Sequence, residues 1–98
     1  MYIIQKTDAF DQWLLDLKDI RGKAKILTRL KRAELGNLGD HKSVGDGVSE
    51  MRIDFGPGYR LYFSKRNNVL ILILMGGDKS SQVGDINRSK QILNECGA

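Results

Sequence analysis

The spacing of hydrophobic and polar residues changes repeatedly along the chain, and each change predicts an element. Tyr2 to Lys6 is short and rich in β-favouring residues, which predicts a first strand. From Asp8 onward Phe10, Trp13, Leu14, Leu17 and Ile20 recur at helical spacing, and Thr7 or Asp8 stands where it can cap the first amides. Arg21-Gly22 is expected to end this helix. The next run places Ala24, Leu27, Leu30 and Ala33 on one face and predicts a second helix that ends near Gly36. With so short a break, the two helices should fold back as an antiparallel pair.

Residues 36 to 47 are rich in glycine and polar side chains and are expected to form a long structured loop. Alternation then takes over. Val48, Glu50, Arg52 and Asp54 should point one way, and Met51, Ile53 and Phe55 the other. Gly56-Pro57-Gly58 predicts a turn, Tyr59 to Ser64 a second alternating strand, and Lys65 to Asn68 another turn. Val69 to Met75 is apolar throughout, as expected of an interior strand covered on both faces, one of them only partly. After Gly76-Gly77, the apolar positions Val83, Ile86, Ile92 and Leu93 predict a carboxyl-terminal helix. The expected order is β-α-α-β-β-β-α, an α+β domain with a helical hairpin packed on a small antiparallel sheet.

At 98 residues the chain has room for one domain, so residues 1 to 98 are read as a single unit. A lone Cys96 and a single histidine, His41, offer neither an internal disulfide nor a convincing set of metal ligands, and no metal or cofactor is expected. The amino terminus lacks the pattern of a secretory signal, and no stretch is long and apolar enough to span a membrane. A soluble, cytoplasmic protein in a reducing compartment is the expectation.

The formal net charge of +4 is unevenly distributed. Acids prevail in the first helix, whereas the second helix and the loop after it are basic through Lys23, Lys25, Arg29, Lys31, Arg32 and Lys42. These six are candidate RNA-binding residues, although a solvated helix face would carry the same charges. On the strands, Glu50 and Arg52 share one face of the first hairpin strand and Arg60 and Tyr62 one face of its partner, while Lys79 follows the apolar strand. If that face is left open by the helices, the cations can grip a phosphodiester and stabilise the charge that develops when a 2′-hydroxyl attacks it. A cross-strand ion-pair ladder on a solvated face would use the same residues.

The combination Phe10-x-x-Trp13-Leu14, Leu17-Lys18-Asp19, Arg29-Leu30 and Gly36-Asn37-Leu38-Gly39-Asp40 with Lys42, Val44-Gly45 and Gly47-Val48 resembles the RelE/ParE superfamily of toxins. Glu50-Met51-Arg52-Ile53, Gly56-Pro57-Gly58-Tyr59-Arg60-Leu61-Tyr62-Phe63 and Gly76-Gly77-Asp78-Lys79-Ser80-Ser81-Gln82 with Asp85-Ile86 extend the likeness to its HigB-like addiction-module killer proteins. The resemblance implies a RelE-like fold and the toxin of a type II toxin-antitoxin pair, neutralised by a HigA-like helix-turn-helix antitoxin and reaching operator DNA only through it. Many relatives cut messenger RNA on the ribosome, whereas the ParE side inhibits DNA gyrase without nuclease activity. A degenerate member would serve only as an antitoxin-binding co-repressor. Carried over by position, Arg60 matches the arginine that contacts the scissile phosphate, Lys79 a basic residue after the last central strand, and Arg52 a further cation. The chain departs from the nuclease pattern in having no tyrosine or histidine beyond Lys79. Glu50, Tyr62 or His41 would have to take the proton, with Glu50 the preferred base. Arg60→Glu and Lys79→Glu are expected to abolish toxicity and spare the fold.

Overall fold

A computed structural model describes residues 1–96. The elements are β1 (Ile3–Lys6), α1 (Asp8–Asp16), α2 (Ile20–Glu34), β2 (His41–Gly45), β3 (Val48–Ile53), β4 (Tyr59–Arg66), β5 (Leu70–Asp78), a 3₁₀ turn (Lys79–Ser81) and α3 (Gln82–Glu95). The fold is α+β, as expected, with one five-stranded sheet in the order β1-β5-β4-β3-β2.

The sheet is mixed rather than antiparallel, because β1 runs parallel to β5, from Ile3 opposite Leu70 to Lys6 opposite Ile73. This requires a crossover between the two strands, and the intervening helices supply part of it. The sheet also has one strand more than expected. Part of the presumed loop is β2, which pairs with β3 through a bulge between Ser43 and Gly45. Its hairpin turn is Asp46-Gly47, with φ of 55° and 80°, the left-handed pair that matches the twist of a two-residue hairpin. Both faces of β2 are largely solvated, so the strand lacks the hydrophobic alternation that would mark it.

The first helix stops earlier than its apolar spacing suggests. Thr7 caps α1 by accepting from the Phe10 amide, but the helix ends at Asp16, and Asp19 caps α2 by accepting from the Gly22 amide. Gly22 therefore lies inside the first turn of α2 instead of breaking a helix, and Ile20 is 84% exposed. Gly22 is required for space: a Cβ there would stand 2.5 Å from the Tyr59 ring. The buried stripe of α2 is Gly22, Ile26, Leu30 and Ala33, so the helix is rotated from the expected face, with Ala24 and Leu27 exposed.

α1 and α2 pack on one side of the sheet. Phe10, Ile26, Leu30 and Ala33 enclose Met51, Ile53, Leu61, Phe63, Ile71 and Ile73 in the larger core. α3 covers the opposite side, where Ile92 and Leu93 meet Val48, Tyr62 and Leu74. β5 extends through Gly76 and Gly77 to Asp78. A Cβ on Gly76 would overlap the Trp13 ring, and one on Gly77 would overlap the Asp85 carboxylate, so the glycine pair admits close neighbours on the strand. Among the described residues, no helix is long and apolar enough to cross a membrane.

Candidate functional site

At the end of the sheet, beside the Gly56-Pro57-Gly58 turn, an open cleft of about 460 Å³ is lined by Arg52, Arg60, Lys79, Asp40 and Asp54. The cations arrive from β3, β4 and the 3₁₀ turn after β5. Register explains the first two, since Arg52 and Arg60 are directly opposite each other on the antiparallel pair. Like charges so placed repel unless each has its own counter-charge. Arg52 donates through Nη2 to Asp40 Oδ1 at 2.9 Å, and Arg60 Nε lies 3.6 Å from Glu50 Oε1. Lys79 is exposed and forms no ion pair among the described residues.

The surrounding backbone is shaped to keep these groups close. Gly58, at φ 82°, approaches both the Lys79 stem and the Arg60 guanidinium; a Cβ there would be 3.5 Å and 3.6 Å from them. Asp78 accepts from the Ser80 amide and closes a capping box with Ser81, which fixes the turn that carries Lys79. Arg29 braces the other wall. Its Nη1 donates to the Arg52 carbonyl at 2.6 Å, and its Nη2 donates to the carbonyls of Leu38 and Asp40.

Two expected proton-transfer residues lie outside the cleft. Glu50 and Tyr62 are both fully buried beneath α3, because the face expected to be open is covered by that helix. Glu50 Oε2 accepts from Gln82 Nε2 at 2.7 Å. Burial, reinforced by the negative charges of Glu50 and Asp85, pushes the Tyr62 hydroxyl well above its ordinary range and keeps it protonated. His41 is exposed on β2, 6.0 Å from the Phe63 ring between centroids, and is not part of the cleft lining.

The cations of α2 and β2 do not join Arg52, Arg60 and Lys79. Arg29 is the internal brace just described, and its burial lowers its pKa. Lys25 lies over the Phe55 ring at 5.6 Å, and Lys31 pairs with Glu34 at 3.4 Å. Lys23 is half-buried, and Arg32 and Lys42 are exposed, all outside the cleft. Sequence reasoning missed Asp40, Asp54 and Gln82. Asp40 is twelve residues from Arg52 and Gln82 thirty-two from Glu50, separations that no local spacing rule reaches. Among the described residues, no three His, Cys, Asp or Glu side chains gather closely enough to hold a metal ion.

No family model matches the chain. An uncharacterized protein of Haemophilus influenzae is 52% identical over 94 residues, spanning 96% of this chain and 95% of the relative. The chain belongs to that protein's family. Identity at this level over nearly the full length of both makes the Haemophilus relative a second sequence on which the same sheet and cleft can be tested.

Proposed function

We propose that this chain is the toxin of a type II toxin-antitoxin pair, a ribosome-dependent endoribonuclease that cuts messenger RNA and arrests translation. The observation that carries the reading is the meeting of Arg52, Arg60 and Lys79 in one cleft. It agrees with the RelE/ParE, HigB-like resemblance of the sequence. The partners are the ribosome with its messenger RNA and a HigA-like helix-turn-helix antitoxin.

In this mechanism the three cations hold a phosphodiester and stabilise the charge that builds on its oxygens as the 2′-oxygen attacks phosphorus. The bond from phosphorus to the 5′-oxygen breaks, leaving a 2′,3′-cyclic phosphate and a 5′-hydroxyl. Asp54 is exposed in the cleft and without an ion pair among the described residues. It replaces Glu50 as the acceptor of the 2′-hydroxyl proton, because a base must reach its substrate. The Lys79 ammonium returns a proton to the departing 5′-oxygen. Much of the acceleration then comes from the ribosome's orientation of the RNA.

The burial of Glu50 and Tyr62 favours one second reading, a gyrase-directed poison that binds without cutting. Expression of the chain alone and with its neighbouring reading frame, scored for growth and by primer extension, separates the two. The nuclease reading expects growth arrest with new cuts inside codons, both abolished by Lys79→Glu. Double-strand DNA breaks with intact transcripts would replace it with the gyrase reading, and unimpaired growth would overturn both toxin readings. Lys79→Glu is the informative reversal because Lys79 is exposed. Arg60 is only 13% exposed and faces Glu50, so Arg60→Glu would bury two carboxylates together and damage the fold.

A further inference from the structure

Arg60 belongs to the cleft, yet most of its side chain is enclosed, and the group that faces its Nε is a carboxylate with no access to solvent. Glu50 is diagonal to Arg60 across the β3–β4 ladder, since its direct partner is Tyr62 and that of Arg60 is Arg52. On its other side Arg60 is opposite Gly77, which contributes no side chain to confine it. Glu50 Oε1, Arg60 Nε and the Tyr62 hydroxyl are buried and have no hydrogen-bond partner among the described residues. Such a pair is a poor source of stability, because desolvation opposes its attraction and its hydrogen bonds are incomplete. Its effect is geometric. Glu50 is itself held by Gln82, the first residue of α3, and Gln82 follows directly on the turn that carries Lys79.

We propose that Glu50 and Gln82 are positioning residues that aim the Arg60 guanidinium into the cleft and set it relative to Lys79. The chain of contacts runs from Gln82 to Glu50 at 2.7 Å and from Glu50 to Arg60 at 3.6 Å, so the docking of α3 and the orientation of the cleft arginine form one unit. The claim deepens the proposed function and rests on the cleft being the RNA site. Its ligand is the phosphodiester backbone of single-stranded RNA.

The test uses the full chain and a 2′-O-methyl oligoribonucleotide, which binds without being cut. Glu50→Gln keeps the shape and removes the charge, and it should weaken binding about tenfold, the equivalent of one lost charge-assisted contact. Gln82→Ala should weaken it by a smaller factor, and Glu50→Gln should add nothing once Arg60→Gln is present, because linked groups are not additive. The Arg60 Nε–H, buried against the Glu50 carboxylate, is expected to exchange slowly in the wild type and to lose protection in Glu50→Gln while the thermal melt stays cooperative. Wild-type binding in both Glu50→Gln and Gln82→Ala, or additive losses in the double variant, would overturn the proposal. If Glu50→Gln does not fold, Gln82→Ala decides by the same two readouts. If the wild-type chain binds no RNA, the cleft as an RNA site in the isolated chain fails by itself, whereas the toxin reading stands or falls on the growth and primer-extension experiment; the Arg60 exchange measurement still decides the positioning claim, which falls if protection survives in the variants.

Discussion

The two faces of the sheet are built to different specifications. Beneath α1 and α2 the core is broad and apolar, and the polar atoms at its margin are matched: the Tyr59 hydroxyl donates to Asp19 Oδ2 at 2.7 Å, and the Thr7 hydroxyl donates to the Leu74 carbonyl at 2.7 Å. Beneath α3 the apolar cluster is smaller and shares its space with Glu50, Ser89 and the Tyr62 hydroxyl, of which the Ser89 and Tyr62 oxygens and Glu50 Oε1 lack hydrogen-bond partners. Apolar burial is the main favourable contribution to folding, whereas unmatched buried polar atoms oppose it. The first face therefore supplies most of the stability, and the second spends some of it to hold a charged arrangement next to the cleft.

The largest effect should come from the first face. Phe10 is fully buried, and Phe10→Ala should cost about 3–5 kcal/mol, read as a drop in urea midpoint. Gly76→Ala, which forces a Cβ against Trp13, should cost about 1–3 kcal/mol in the same experiment. Losses of similar size from truncating Ile92 beneath α3 would erase the contrast between the faces.

The pH dependence of stability sharpens the contrast at an intermediate level. Burial and the bond to Asp19 push the Tyr59 hydroxyl up to about 12, so its contribution is fully present below the unfolded value of about 10 and is lost as pH rises through about 12. Asp19 moves the opposite way, because the Gly22 amide and then the Tyr59 hydroxyl stabilise its carboxylate. Its contribution is present above the unfolded value of about 3.9 and is lost as pH falls through the lower folded value. Tyr59→Phe should remove its own share of the alkaline loss, leaving the share of buried Tyr62, and flatten the acid one in a series of urea melts. Unchanged limbs would show that this pair does not couple the start of α2 to β4.

The smallest effect on stability belongs to the second face. Replacing both members of its ion pair, Glu50→Met with Arg60→Met, should leave the melting temperature unchanged or raise it, since matched apolar groups avoid the desolvation of two buried charges. The same double variant should lose growth arrest. A large fall in melting temperature would mean that the pair is a stabilising element and that the two faces are alike.

Local order in the sequence was sufficient for the α+β class, the helical segments and the strands with clean alternation, because period and capping chemistry act over a few residues. The Asp46-Gly47 signal for a left-handed hairpin turn was present too, although the polar strand before it concealed its meaning. Arg52 and Arg60 could be singled out from the strand faces they share with Glu50 and Tyr62, and Lys79 from its place after the apolar strand; the structure gathers all three around one cleft.

Which face α3 would cover was a tertiary matter, and it decided the fate of Glu50 and Tyr62. A strand's alternation says that two side chains share a face but not whether water or a helix lies over it. The side of α2 that turned inward, the internal bracing by Arg29 and the link from Gln82 through Glu50 to Arg60 likewise depend on residues far apart in the chain. Short-range pattern set most of the elements, though not β2, and the charges they carry; packing of distant elements determined which of those charges reach solvent and which are enclosed.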